Sequence, residues 1–227
     1  MQNLVYRGKT KDVYDNGDGT YTFKLKDDAT GKDGVFDPGE NQVGLSIEGL
    51  GRESLRLSEY YFRKLNAAGI PTHFIDCDIQ AVTMKVLPAT MFGHGIEFVC
   101  RRLAWGSYIR RYGQYVQQGA PLDYVVEVTL KDDERGDPPI TEQSLVALGI
   151  MTAEEYQICH RLTRQVAQLI HEDLASHGME LADIKFEFAR CNGEITLIDE
   201  FSAGVMRALK DGSPVPPMEL GKIILGE

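Results

Sequence analysis

Long apolar runs, paired cysteines and blocks of basic residues are what this sequence lacks. No apolar stretch among its 227 residues approaches the roughly 20 needed to span a bilayer, and the N-terminus has no signal-peptide core, so a soluble cytoplasmic protein is expected. The four cysteines, Cys77, Cys100, Cys159 and Cys191, stand far apart without C-x-x-C spacing, which excludes a zinc or disulfide framework and reads as reduced thiols. Lys and Arg number 24 against 34 Asp and Glu, a formal charge of -10, and no basic block is present. That balance argues against binding duplex nucleic acid or an anionic membrane through phosphates, although a local anion pocket stays open. His171 and His177, six apart, do not share a helix face, so the histidines point to structural or solvent roles rather than a metal. G-x-x-x-x-G-K-[ST], G-x-S-x-G and H-E-x-x-H are all missing, as are repeats and low-complexity tracts.

What is present is ordinary globular material, 43% hydrophobic and 26% charged, with 23 glycines that imply many tight turns. Tyr21, Phe23 and Leu25 alternate with Thr22, Lys24 and Lys26, the period of a half-buried strand, and Asn16-Gly17-Asp18-Gly19 joins it to Lys11–Tyr14 as a hairpin. Residues 27 to 51, rich in Asp and Gly, read as a long mobile or functional loop. A helix is expected from about Glu53 to Ala68, burying Leu55, Tyr61, Phe62 and Leu65 and stopped by Gly69 and Pro71. Ala81–Leu87 returns as a strand, and Pro88 through Gly95 is the candidate boundary between residues 1–88 and 89–227. In the second part, strands are expected near Phe98–Cys100, Val125–Leu130, Ile184–Phe188 and Glu194–Asp199. Thr152 and Glu155 form a capping box ahead of a helix that carries Ile158, Leu162, Val166, Leu169, Ile170 and Leu174 and ends at Gly178. Strands and helices without regular βαβ alternation predict an α+β fold.

Three constellations carry chemistry. In Tyr6-Arg7-Gly8-Lys9-Thr10-Lys11, the two lysines fall at i and i+2, on one strand face beside a glycine that lets a ligand approach, which suits a triphosphate; a solvated hairpin face is the plainer reading. Four arginines flank Gly106-Ser107 in an otherwise acidic chain, a receptor for phosphate or carboxylate unless they only make surface ion pairs. Lys185 and Glu187 share one face of a strand while Phe186 and Phe188 share the other, and Asp199 and Glu200 end the partner strand. Carboxylates converging from adjacent strands can hold Mg²⁺ between phosphates. That arrangement requires a three-residue Cys191-Asn192-Gly193 loop or a bulge, because a two-residue Asn192-Gly193 turn puts Asp199 on the phenylalanine face. The charged loop from Lys131 to Pro138 reads as a solvated connection.

Taken together, the Tyr6 to Lys11 block, Lys26-Asp27-Asp28-Ala29-Thr30, Arg101 with Gly106-Ser107 and Arg110-Arg111-Tyr112-Gly113, the Lys131 to Pro138 loop, Asp183-Ile184-Lys185-Phe186-Glu187-Phe188 and Asp199-Glu200-Phe201-Ser202 resemble the SAICAR synthetase family, in its order, over almost the whole chain. The resemblance implies a two-lobed α+β fold, a small antiparallel β N-terminal lobe over a larger α+β lobe with ATP in the cleft, and joining of a carboxylated aminoimidazole ribotide to L-aspartate with release of ADP and phosphate. It assigns ATP to Gly8, Lys9, Lys11 and Lys85, and Mg²⁺ to Glu187 and Asp199. Lys185, Lys131 and Asp137 become catalytic. Arg101, Gly106, Ser107, Asp133, Asp183, Ser202 and Arg207 become substrate-binding.

The sequence also departs from that pattern. Ser-Pro-Asp-x-x-Arg is here Ser202-Ala203-Gly204-Val205-Met206-Arg207, Leu209-Lys210 replaces Trp-Asp, Gly136 replaces a histidine, and Leu50 replaces a lysine. A short Pro-rich tail from Ser213 takes the place of a terminal helix. The leading expectation is therefore an ATP- and Mg²⁺-dependent ligase of this family in purine synthesis, acting on small molecules, with an assembly of identical chains left open. A paralog with another carboxylate or amine, a nucleotide-binding regulatory protein and a phosphotransferase are the alternatives.

Overall fold

The computed structural model describes residues 3–40 and 42–226, and they fold as two compact units. The first comprises residues up to Thr90 together with Ala189–Gly204 and the segment from Pro216; the second comprises Met91–Phe188 and Val205–Val215. The expected division into 1–88 and 89–227 thus becomes discontinuous, because the chain re-enters the first unit twice. In chain order the elements begin β1 (Asn3–Arg7), β2 (Lys11–Asp15), β3 (Tyr21–Leu25), β4 (Asp28–Lys32), β5 (Val35–Phe36), β6 (Val43–Ser46), α1 (Leu50–Ala67), β7 (Phe74–Asp78), β8 (Thr83–Val86) and β9 (Thr90–Met91). They continue with β10 (Ile96–Leu103), α2 (Ser107–Tyr112), β11 (Pro121–Leu130), α3 (Glu142–Ala147), α4 (Ala153–Ser176), β12 (Glu180–Cys191), β13 (Glu194–Ile198), β14 (Met206–Lys210), β15 (Ser213–Pro214) and α5 (Pro217–Leu225).

The first unit is built on an antiparallel sheet in the order β1-β2-β3-β8-β7, with the expected β2–β3 hairpin at its centre. Residues 27–51 are not a loop: β4, β5 and β6 make a second, three-stranded sheet in the order β5-β4-β6. Gly31 and Gly44 allow it, since a Cβ on either would meet neighbouring backbone at 2.1 and 2.3 Å. Helix α1 starts at Leu50, earlier than its apolar stripe indicates, because Asp27 caps it from outside. The Asp27 carboxylate accepts hydrogen bonds from the backbone N–H of Gly49 (3.0 Å) and Gly51 (2.9 Å), satisfying orphan donors of the first turn. Leu55, Tyr61, Phe62 and Leu65 are buried as their spacing predicts. Helix α5 packs on α1 with Leu220 and Ile224 buried, so the Pro-rich tail does end in a helix, with Pro217 at a position where its missing N–H costs nothing.

In the second unit β11, β10, β12, β14 and β15 follow one another across an antiparallel sheet. Its two faces have opposite chemistry. The registers align Val126 with Cys100 and Ile184, and Val128 with Phe98 and Phe186, on the apolar side, against which α4 packs. The intervening rows align Val125 with Arg101, Asp183 and Arg207, Glu127 with Val99 and Lys185, and Thr129 with Glu97 and Glu187. The capping box at Thr152 is formed, and α4 runs to Ser176 with Gly178 in the left-handed region behind it. All four cysteines are free thiols, and no helix among the described residues is long and apolar enough to cross a membrane.

Candidate active site

In the first unit the β1–β2 connection is a tight turn closed by the Gly8 N–H donating to the Lys11 carbonyl at 2.9 Å. A Cβ on Gly8 would sit 2.8 Å from that carbonyl oxygen, so the turn needs glycine there. Lys26 fixes it from below, its ammonium donating to the Gly8 carbonyl (2.8 Å) and pairing with Asp12 (2.6 Å). Lys9 therefore lies in the turn and Lys11 in β2; they do not share a strand face as their spacing implied. Lys85 pairs with Asp18 at 3.0 Å on an exposed surface.

Lys11 points into the unit and forms ion pairs with both Asp199 and Glu200, while the Thr10 hydroxyl donates to Glu200 at 3.0 Å. Burial works against the Lys11 ammonium, but the two carboxylates outweigh it and hold its pKa above the ordinary value. Burial, and then the neighbouring Asp199 carboxylate, push Glu200 up to about 7. The hairpin before this pair turns on two residues: Asn192 (φ 53°) and Gly193 (φ 86°) are both left-handed, as a two-residue turn of this kind demands. The three-residue loop is thus not formed. The expectation that a two-residue turn sends Asp199 to the phenylalanine face does not apply either, because β13 ends at Ile198 and Asp199 leaves it with φ 78°. That left-handed step, and not strand alternation, aims its carboxylate at Lys11. Ser202, two residues on, is buried, with its hydroxyl accepting from the Gly204 N–H at 3.1 Å.

In the second unit the polar sheet face carries an alternating series of charges. Glu187 accepts from Lys131 at 2.6 Å and lies 3.7 Å from Lys185; Lys185 donates to Glu97 at 2.9 Å, and the Thr129 hydroxyl holds the other Glu97 oxygen at 3.1 Å. Glu97 and Thr129 were not found from the sequence, since only the register between β10, β11 and β12 brings them beside Lys185. One row along, Asp183, 3% exposed, takes Arg101 at 2.8 Å and Arg207 at 2.8 and 3.0 Å. Arg101 also donates to Ser107 (2.8 Å) and pairs with Glu127, which Arg111 joins. Three guanidiniums thus surround two carboxylates, an excess of positive charge. Gly106 (φ 54°) is required beside it, as a Cβ there would lie 2.7 Å from the Arg207 guanidinium.

The Lys131 to Pro138 segment is built, not merely solvated. Asp137 (φ 50°) accepts the Asp132 N–H at 2.8 Å, Asp132 accepts the Arg135 N–H at 3.1 Å, and Asp133 starts a short 3₁₀ turn. The Asp137 carboxylate is therefore a staple that sets where Lys131 leaves β11. Among the described residues no group of three or more His, Cys, Asp or Glu side chains is arranged to hold a metal by itself.

Comparison with known proteins matches this arrangement. The sequence profile of SAICAR synthetase fits residues 4–216. A phosphoribosylaminoimidazole-succinocarboxamide synthase of Clostridium tetani is 52% identical over 98% of this chain and 99% of its own length. One from Methanoculleus marisnigri is 34% identical over 90% of this chain and 81% of its own. Among solved structures, a SAICAR synthetase in complex with ADP superposes with a TM-score of 0.86 at 28% identity, covering 98% of both chains. The protein is therefore an ATP-dependent, amide-forming ligase of mixed α+β fold. The chain belongs to the SAICAR synthetase family.

Proposed function

We propose that the protein joins carboxyaminoimidazole ribotide to L-aspartate through an acyl phosphate, with ATP converted to ADP and phosphate, in purine biosynthesis. The observation that carries this is the polar face of the second unit's sheet, where a lysine-held carboxylate and a guanidinium cluster lie on either side of the Lys185 row. A carboxylate is a poor acyl donor. Moving the γ-phosphoryl group of ATP onto it creates a leaving group, and the aspartate amine then attacks the acyl carbon, expelling phosphate and losing a proton. Lys185 and Lys131 neutralise charge on the transferring group, and positioning and electrostatics supply most of the acceleration. Arg101, Ser107 and Arg207 take the ribotide's 5′-phosphate, with Asp183 holding the two guanidiniums in place and Gly106 giving the close approach. Asp133 and Asp137 set the loop toward the amino-acid side, and Ser202 braces the segment before Arg207.

A relative solved with ADP supports nucleotide binding; in this reading Gly8, Lys9 and Lys11 take the nucleotide phosphates, with Lys85 at the margin. Glu187 and Asp199 are the residues assigned to Mg²⁺, which supplies neutralisation of nucleotide phosphates. Each taken by itself suits the ion: both are hard carboxylates whose present counter-ions are ammonium groups, and Mg²⁺ takes few protein ligands and completes its shell with phosphate and water. Near-complete alignment with the Clostridium tetani relative favours this reading over a paralog with another amine. The test is ADP release with the ribotide and a panel of amino acids. Stimulation by aspartate is expected; stimulation by another amine and not by aspartate overturns the proposal. A regulatory protein would instead bind nucleotide, lose that binding in Lys11→Ala, and turn over with no acceptor.

A further inference from the structure

Asp199 is a non-glycine residue held in the left-handed region, φ 78°, immediately after a strand end. L-residues avoid that conformation unless their surroundings over-determine it. Here the surroundings do so on both sides. On one side the His73 imidazole donates from Nε2 to the Asp199 carbonyl at 2.9 Å. A carbonyl only accepts, so the proton of the neutral ring is on Nε2. On the other side Ser58 is bonded to both backbone groups of Phe201, each at 2.9 Å.

His73 is itself fixed. Its backbone N–H donates to the Leu197 carbonyl (3.0 Å), its carbonyl accepts from Leu87 (2.8 Å), and its ring lies edge-on to Phe23 and Phe62 at 5.4 Å. It is 1% exposed. Two of those contacts, to Leu197 and to Asp199, bracket the end of β13. The imidazole is thus a rigid strut between the first unit's sheet and the one backbone carbonyl whose orientation decides where the Asp199 carboxylate points.

We infer that His73 is a positioning residue for Asp199, fixing its left-handed backbone so that the carboxylate is presented to the metal–nucleotide site. The inference rests on the reading of Asp199 as a Mg²⁺ ligand. Outer-shell partners of this kind are worth about 10- to 100-fold in metal affinity.

The experiment is calorimetric titration of the full chain with ADP, with and without Mg²⁺, in the wild type and in His73→Gln, His73→Asn and Asp199→Asn. A Gln side chain places its amide N–H near the position of Nε2, and an Asn side chain is too short. Wild type and H73Q are expected to gain the same Mg²⁺ enhancement of ADP affinity within about twofold; H73N is expected to lose about tenfold of it, with metal-free ADP affinity unchanged. Where H73N fails to fold, His73→Phe, which keeps the ring packing without a donor, replaces it in the comparison. Wild-type enhancement in the donor-less variant, or equal loss in H73Q, overturns the inference. Should D199N keep the enhancement, the reading of Asp199 falls and takes the inference with it; should D199N lose it while H73N does not, the inference alone is wrong.

Discussion

Replacing Asp183 with Asn is the sharpest test of the guanidinium cluster. The carboxylate is 3% exposed and accepts from two arginines, one of them, Arg101, itself 3% exposed. Hydrogen bonds to charged groups contribute about 1.5–3 kcal/mol each, and breaking a buried pair costs about 3–5 kcal/mol because the remaining charge is left uncompensated. Asn keeps one acceptor oxygen but turns an N–H group toward the second guanidinium. Arg101 retains Glu127, while both Arg207 bonds to Asp183 depend on the carboxylate that is exchanged. The expected loss is therefore about 3–4 kcal/mol in urea unfolding. An anion bound at the cluster supplies the missing charge, so inorganic phosphate should restore more stability to D183N than it adds to the wild type; saturation at 100 times its Kd is worth about 2.7 kcal/mol. A variant within about 1 kcal/mol of wild type, or an equal phosphate effect in both proteins, would refute the reasoning.

Two further outcomes follow from the first unit. His73 has its pKa lowered from 6.5 to about 4, so between those values the unfolded chain takes up a proton that the folded protein refuses. Its contribution is complete above pH 6.5 and is lost as pH falls toward 4, about 3 kcal/mol in all; urea midpoints should show a steeper acid loss in wild type than in H73Q, and parallel curves would contradict it. Leu220→Ala in α5 should cost about 2–5 kcal/mol if the helix is part of the core, and less than about 0.5 kcal/mol would mean that it is not.

Local signals were legible wherever one segment carried them. The capping box and apolar stripe of α4, the β2–β3 alternation and the Lys185/Glu187 face all survive in the structure because each depends on neighbours in sequence. The failures have two causes, partners far along the chain and elements too short to show a period. The start of α1 is set by Asp27, 22 residues before Gly49. The strands β4 to β6 are short, and their Asp and Gly content looks like a loop until they pair with one another. α5 is nine residues long with a glycine inside, too little periodicity to register. Within the site, Thr10 meets Glu200 across 190 residues, His73 meets Asp199 across 126, and Lys185 meets Glu97 across 88, distances over which no spacing rule operates.

The discontinuity of the first unit has a consequence for how the protein is made. Its N-terminal 90 residues contain two sheets and a long helix, yet Asp199, Glu200 and Phe201, which pair with Lys11 and pack on α1, are supplied only after most of the second unit has been synthesised, and α5, which covers another part of that helix, only after all of it. During translation Lys11 has no carboxylate partner from that segment, and Phe62 lacks the ring of Phe201. Domains normally close in the order they emerge. Here the first to emerge is completed last, so the lysine of the nucleotide-side turn acquires its resting counter-ions only when nearly the whole chain is present.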